Sequence, residues 1–140
     1  MHTISVSILT QAPQAAVWDA LTVPELVQKY FFGTHLATDW RVGSPVTFRG
    51  EWNGQMYEDR GTVLSFEPPR RLSYDYWSSM SGEADVVERR PIIVYELVPE
   101  DGGVRLNIQQ SNIATEERAE HSAKNWQMVL DGLKRLVEGG

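Results

Sequence analysis

Apolar residues near the end of the chain recur at the period of an α-helix. Their spacings of three and four residues place one apolar stripe along residues 115–137, which predicts an amphipathic helix. Thr115 suits the N-cap of that helix, and Glu116 and Glu117 suit the positive end of its dipole. The stripe is about 30 Å long at 1.5 Å per residue, so it needs an apolar partner of similar length. It consists of Ala119, Ala123, Trp126, Val129, Leu130, Leu133, Leu136 and Val137.

Upstream of this helix the apolar period changes to two, which indicates strands with alternating faces. A first strand is predicted over residues 2–10, and two short helices follow it, one after Pro13 and one over residues 25–30. Turn signals separate the later strands, and the pair Asn53 and Gly54 is typical of a tight hairpin. These strands are predicted over residues 35–40, 45–52, 57–66, 71–77, 92–98 and 104–110.

Successive strands joined by short connections favour an antiparallel meander. Such a sheet must cover its apolar face, and the C-terminal helix is the one predicted element long enough to do so. We therefore predict an α+β fold, in which an antiparallel sheet of six to seven strands packs on the long helix within one domain, residues 1–140. Alternation predicts the inward side chains of the last three strands as Leu72, Tyr74, Tyr76, Ile93, Tyr95, Leu97, Val104, Leu106, Ile108 and Gln110.

Three segments fall outside this regular pattern. Residues 78–90 are polar and longer than a tight hairpin needs, which predicts a mobile surface loop, with a cavity lid as the alternative. Residues 30–32, Tyr-Phe-Phe, end the second short helix and are expected to be exposed. The adjacent Glu58 and Asp59 lie on opposite strand faces, so one of them is a candidate to point inward, whereas Asp75 is expected to face solvent.

Charge and composition exclude several classes of protein. The net charge is −6 and no run rich in lysine or arginine occurs, which argues against nucleic-acid binding. The chain has no cysteine, so disulfides and thiolate chemistry are excluded. The first residues follow a strand pattern and no apolar run reaches membrane-spanning length. We therefore expect a cytoplasmic protein without membrane insertion.

Candidate catalytic and metal-binding patterns are missing from the sequence. The histidines at 2, 35 and 121 have no metal-ligand spacing, and no serine lies in a nucleophile-elbow motif. We predict no catalytic residue, no metal and no cofactor.

Local patterns along nearly the whole chain resemble one known family. They are APQAAVWDALT at 12–22, DWRVG at 39–43, GTV at 61–63, EPPRRL at 67–72 and WQMVLDGLKRL at 126–136. Together they resemble the activator of heat-shock protein 90 ATPase homologues, in the START-like (SRPBCC) superfamily. The resemblance implies a helix-grip fold, a curved sheet gripping a C-terminal helix with an apolar cavity between them. Two departures are Gly43–Ser44 in place of Gly-Gly, and Gln110 in place of a histidine, which weakens the case for histidine chemistry in the cavity.

The aromatic surplus and the implied cavity predict a binding protein for a hydrophobic small molecule. Aromatic rings supply apolar area, tyrosine hydroxyls and Gln110 supply orienting polar groups, and neither residue type is a good nucleophile near pH 7. We therefore expect binding without catalysis. The predicted cavity residues are Trp18, Leu26, Phe31, Phe32, Phe48, Tyr74, Tyr76, Tyr95, Ile108, Gln110, Trp126 and Leu130.

Two other functions remain open from the sequence. A buried polar trio facing the cavity would favour a cyclase- or hydrolase-like enzyme. A packed core with an exposed apolar patch would favour a co-chaperone-like interaction module with a chaperone partner. Met128 lies opposite Trp126 on the predicted helix, so we expect it to be exposed, where it could join a weak homodimer interface.

Overall fold

The computed structural model describes residues 1–139, which form one antiparallel sheet and three helices. In chain order the elements are β1 (His2–Thr10), α1 (Gln14–Thr22), α2 (Pro24–Tyr30), β2 (His35–Ala37), β3 (Pro45–Trp52), β4 (Gln55–Glu67), β5 (Arg71–Asp75), a 3-10 turn (Val87–Arg89), β6 (Ile92–Glu100), β7 (Gly103–Ile113) and α3 (Glu116–Gly139). None of the described helices is both long enough and apolar enough to cross a membrane.

The seven strands lie in the order β1-β7-β6-β5-β4-β3-β2, and every pairing is antiparallel. The first strand therefore pairs with the last, with Ile4 opposite Gln110 and Thr10 opposite Val104. The other pairings join strands that are neighbours in the chain, as a meander requires. The prediction of an α+β helix-grip fold with two short helices after the first strand is confirmed.

The long helix α3 covers the sheet with the apolar stripe that its sequence predicts. Leu130 and Leu133 are fully buried, and Trp126 and Val129 are buried beside them. The helix begins as expected, because the backbone N–H of Arg118 donates to Thr115 Oγ1 at 3.1 Å. Near the other end, Lys134 Nζ donates to the carbonyl oxygen of Leu9 at 2.6 Å and ties α3 to β1.

Two strands are shorter than predicted, and each ends where another interaction takes over. β2 stops at Ala37 because Trp40 has a φ of 60° and its indole N–H donates to the carbonyl oxygen of Thr22 at 3.0 Å. β5 stops at Asp75, and Trp77 beyond it keeps only an isolated bridge to Arg60. The hairpin prediction is confirmed, since Trp52 pairs with Gln55 across the turn at residues 53–54.

Gly61 brings β4 unusually close to the end of β5. A Cβ atom at this position would lie 1.7 Å from the carbonyl oxygen of Asp75, so only glycine permits this approach. The close approach positions Asp59 of β4 near Tyr76, which follows β5.

The expectation of a solvent-facing Asp75 is wrong. Its side chain is buried, with the residue 7% exposed, and Oδ1 accepts from the backbone N–H of Thr62 at 2.8 Å and from Arg90 Nη1 at 3.0 Å. Arg90 also makes two hydrogen bonds to Asp85, each 2.8 Å long. The burial of Asp75 follows from these partners, because a carboxylate can be buried when it is paired and hydrogen-bonded.

Candidate functional site

A groove of about 390 Å³ opens between the first half of α3, the segment after α2 and strands β3 to β5. We call it the aromatic groove. Its lining includes seven aromatic side chains, namely Phe31, Phe32, Phe48, Tyr57, Tyr74, Tyr76 and Trp126.

Ring contacts join these side chains into a continuous aromatic wall. Phe31 stacks on Phe48 with ring centroids 6.1 Å apart and meets Trp126 edge-on at 5.9 Å. Phe48 in turn contacts Tyr74 at 5.5 Å, and Tyr95 supports Trp126 from below at 5.9 Å. Such tilted and edge-on contacts are the geometries that aromatic pairs prefer, so they stabilise the positions of the rings.

Polar atoms beneath the aromatic wall are paired with one another. The indole N–H of Trp126 donates to Gln110 Oε1 at 2.7 Å, and the hydroxyls of Tyr74 and Tyr95 are hydrogen-bonded at 2.8 Å. Burial raises the pKa of both tyrosine hydroxyls well above the ordinary value, so both are neutral near pH 7.

The most unusual group of the groove is the carboxylate of Asp59, a residue only 6% exposed. The hydroxyl of Tyr76 donates to Asp59 Oδ2. The backbone N–H and the hydroxyl of Ser79 donate to Oδ1, at 2.8 and 3.0 Å. Burial and then the charge of Asp59 raise the pKa of Tyr76 well above its ordinary value, so Tyr76 acts as a neutral hydrogen-bond donor. Of the two adjacent acids at 58 and 59, Asp59 is the one that points inward.

Residues 78–90 lie beside the groove and are anchored at several points. Ser79 is bound to Asp59, and Met80 forms part of the groove lining. Further along, the indole N–H of Trp77 donates to the carbonyl oxygen of Glu83 at 3.0 Å, and Asp85 forms ion pairs with Arg60 and Arg90. The segment therefore contacts the site, and both the mobile loop and the lid stay predictions.

A second, wider recess of about 850 Å³ shares Met80 and His121 with the lining of the aromatic groove. It is bounded by residues 76–91, the end of β7 and the first turns of α3. Charged side chains of both signs line it, among them Glu83, Arg118 and Lys124. Arg118 and Glu83 pair across it at 3.0 Å.

The structure places the predicted cavity residues in two groups. The groove contains Phe31, Phe32, Phe48, Tyr74, Tyr76, Gln110 and Trp126. The other five do not line it: Trp18 packs against Phe66 with ring centroids 5.4 Å apart, Leu26 is half-buried on α2, and Tyr95, Ile108 and Leu130 lie in the buried core.

Residues 30–32 are less exposed than predicted. Tyr30 is half-buried and its hydroxyl donates to the carbonyl oxygen of Ala20 at 2.6 Å, so the expectation for Tyr30 is wrong. Phe31 is half-buried in the aromatic wall, and Phe32 is 43% exposed at the rim.

Sequence reasoning missed several groove residues contributed by helix α3 and by strand β4. Ser122 and Asn125 line the groove together with His121. A hydrogen bond of 3.2 Å joins Asn125 Nδ2 and His121 Nε2. Ser122 precedes Trp126 by four residues, so helical spacing alone could have placed it on the same face. Tyr57 also lines the groove and shares a hydrogen bond with the hydroxyl of Thr34.

Comparisons with known proteins identify a family and several similar structures. The family model described as "Activator of Hsp90 ATPase homolog 1-like protein" matches residues 11–138. The solution structure of a Cytophaga hutchinsonii protein is 36% identical to this chain, with a TM-score of 0.84, and the match covers 99% of this chain and 95% of that one. The crystal structure of a Chromobacterium violaceum protein is 26% identical with a TM-score of 0.78, and the match covers 99% of each chain.

A more distant structure shares the fold. The solution structure of the Aha1 dimer from Colwellia psychrerythraea is 19% identical with a TM-score of 0.77, and the match covers 99% of this chain and 97% of that one. No curated protein matches the chain.

Proposed function

The chain belongs to the activator of Hsp90 ATPase homolog 1-like family, and from that premise we propose that it forms a single domain, residues 1–140, that binds a hydrophobic small molecule in the aromatic groove. The observation that carries the proposal is the groove itself, because a volume of about 390 Å³ with seven aromatic rings in its lining falls in the size range and character of ligand pockets. The proposal places the protein in the cytoplasm, in keeping with its cysteine-free sequence.

Both apolar and polar groups of the lining would contact the ligand. Ring faces of Phe31, Phe48 and Trp126 would remove the apolar body of a ligand from water. Asn125 and Ser122 on one side and Asp59 on the other would supply the few polar contacts that orient it.

The expected result of blocking the groove tests this proposal. A fluorescent fatty amine or lipid probe should bind saturably to the native protein, and Ser122→Phe should weaken that binding at least tenfold because the new ring occupies the groove. Gln127→Phe is the matched control, since Gln127 is exposed on the same helix outside the groove and should leave affinity unchanged. Absence of saturable binding by any apolar probe, or equal loss in both variants, would contradict the proposal.

An enzymatic role is the second candidate, and it is favoured by a polar cluster beside the groove, in which the buried Asp59 is hydrogen-bonded to the half-buried Tyr76 and the exposed Ser79. In such an enzyme Asp59 would act as general base and Tyr76 as a neutral donor to a developing oxyanion. If the protein hydrolyses aryl esters and Asp59→Asn loses that activity, the enzymatic role would be favoured over binding alone.

A weak homodimer is a further part of the proposal. Met128 is 53% exposed and stands at the rim of the groove, close to the exposed Phe32 and Met80 in the same lining. Such an apolar rim suits an interface with a second copy or with a chaperone partner. Sedimentation velocity should show a concentration-dependent mass that Met128→Glu abolishes. A monomeric mass at every concentration would remove the dimer from the proposal.

A further inference from the structure

The aromatic groove contains one carboxylate that no lysine or arginine side chain of its described lining pairs with. Among the described residues that line it, Asp59 is the one carboxylate, and neither lysine nor arginine is present. Asp59 also forms no ion pair within residues 1–139. The neighbouring Asp75 is equally buried but is paired with Arg90 at 3.0 Å. A buried carboxylate without a cationic partner is costly for a protein to keep, so its presence in a groove points to a ligand.

The hydrogen bonds of Asp59 leave room for a further donor. Its two oxygens offer about four lone-pair sites, and Tyr76 and Ser79 fill three of them. A fourth donor can therefore bind without displacing any of the present ones. The partners are all neutral, so they satisfy the oxygens without cancelling the charge.

The rings around Asp59 suit a positively charged group as well as an apolar one. The ring centroids of Tyr74 and Tyr76 lie 5.5 and 5.6 Å from that of Phe48, in the same wall. Aromatic faces attract an ammonium group within about 6 Å of the ring centroid, and the attraction grows when water is excluded. A carboxylate set among aromatic faces therefore favours a cation over an anion or a neutral polar group of the same size.

We propose that the groove selects apolar amines, whose ammonium nitrogen pairs with Asp59 while the hydrocarbon part lies against the aromatic wall. This inference rests on the proposed function and adds the charge class of the ligand to it. The chemistry requires no cofactor and no covalent step.

Three ligands of equal chain length separate the charge preference from apolar binding. Octylamine, octanol and octanoate would be titrated by calorimetry at pH 8, where histidine is largely neutral and the alkylamine is protonated. We expect octylamine to bind at least tenfold more tightly than octanol, and octanoate to bind most weakly. Asp59→Asn should abolish the amine preference while leaving octanol affinity within about twofold, because it removes the charge and keeps the shape.

Two further variants serve as controls for the role of the Asp59 charge. Glu58→Gln removes the same charge from the exposed face of the same strand, so it should keep the amine preference. Tyr76→Phe removes one donor to Asp59 but retains the carboxylate, so the preference should persist or rise even if Asp59→Asn fails to fold.

The possible failures are distinguishable. Equal affinity for octylamine and octanol, or an amine preference that survives in Asp59→Asn, would overturn the charge selection and leave the binding function intact. If none of the three ligands nor the fluorescent probe binds, the proposed function fails together with this inference.

Discussion

Replacing Trp126 by alanine is expected to lower the free energy of unfolding by about 3–5 kcal/mol. The side chain is 7% exposed, contacts the rings of Phe31 and Tyr95, and donates its indole N–H to Gln110. Its loss removes buried apolar area, leaves a cavity and strands the amide oxygen of Gln110 without its donor. Urea titration monitored by circular dichroism measures the change.

The control for this prediction lies two residues along the same helix. Met128 is exposed, so Met128→Ala should change stability by less than about 0.5 kcal/mol. A loss below 1 kcal/mol for Trp126→Ala would show that the apolar stripe of α3 does not hold the sheet in place.

Replacing Arg90 by alanine is expected to cost about 3–5 kcal/mol, because it leaves buried charge without a partner. The guanidinium bonds to both Asp75 and Asp85, and all three side chains are at least four-fifths buried. Arg49→Ala is the matched control, since the ion pair of Arg49 with Glu58 is exposed and should contribute at most about 1 kcal/mol. Equal and small losses in the two variants would mean that the Arg90 cluster is dispensable.

The same ion-pair cluster determines an acid-dependent part of stability. Hydrogen bonds from Arg90 and then Arg60 lower the pKa of Asp85 to about 2. The folded state therefore favours the ionised carboxylate, and its contribution is complete above the unfolded pKa near 4 and lost as the pH falls to about 2. The stability difference between the native protein and Asp85→Asn should narrow over that window. If the stability difference between the two proteins stays constant from pH 5 to pH 2, Asp85 does not have the lowered pKa expected here.

Regular elements could be predicted from the sequence because their signals are local. The spacing of Trp126, Leu130 and Leu133 indicates one buried helical face, and all three residues are buried on it. Alternation likewise predicts Tyr74 and Tyr95 as inward-facing, and both are buried. In each case the information lies within a few residues of the position concerned.

Asp75 shows why other features escaped prediction. Alternation places it outward, but its burial depends on Arg90, fifteen residues away in a segment without a periodic pattern. The close approach of the two strands also depends on Gly61, which has no side chain and lies in a different strand from Asp75. A pairing of this kind is specified by tertiary contacts that no local pattern reports.

The candidate site was predicted in part for the same reason. Strand alternation and helix spacing supply Phe48, Tyr74 and Trp126, which line the groove. Trp18 is equally aromatic and apolar, but α1 carries it to Phe66, away from the groove. Residue type and local period cannot distinguish these two packing sites. The carboxylate of Asp59 was identified as one of two adjacent candidates, and the fold selected it.

The pairing of the first strand with the last has a consequence for the order in which the chain folds during synthesis. His2 pairs with Ile113, so β1 has no partner until more than a hundred residues have been made. At about 5–20 residues per second, the first strand waits on the order of 5–20 s after it is translated. The β3–β4, β4–β5 and β6–β7 hairpins close over short loops in the meantime, at a smaller entropic cost. Strand β1 thus becomes ordered late although it is made early, together with α3, to which Lys134 ties it.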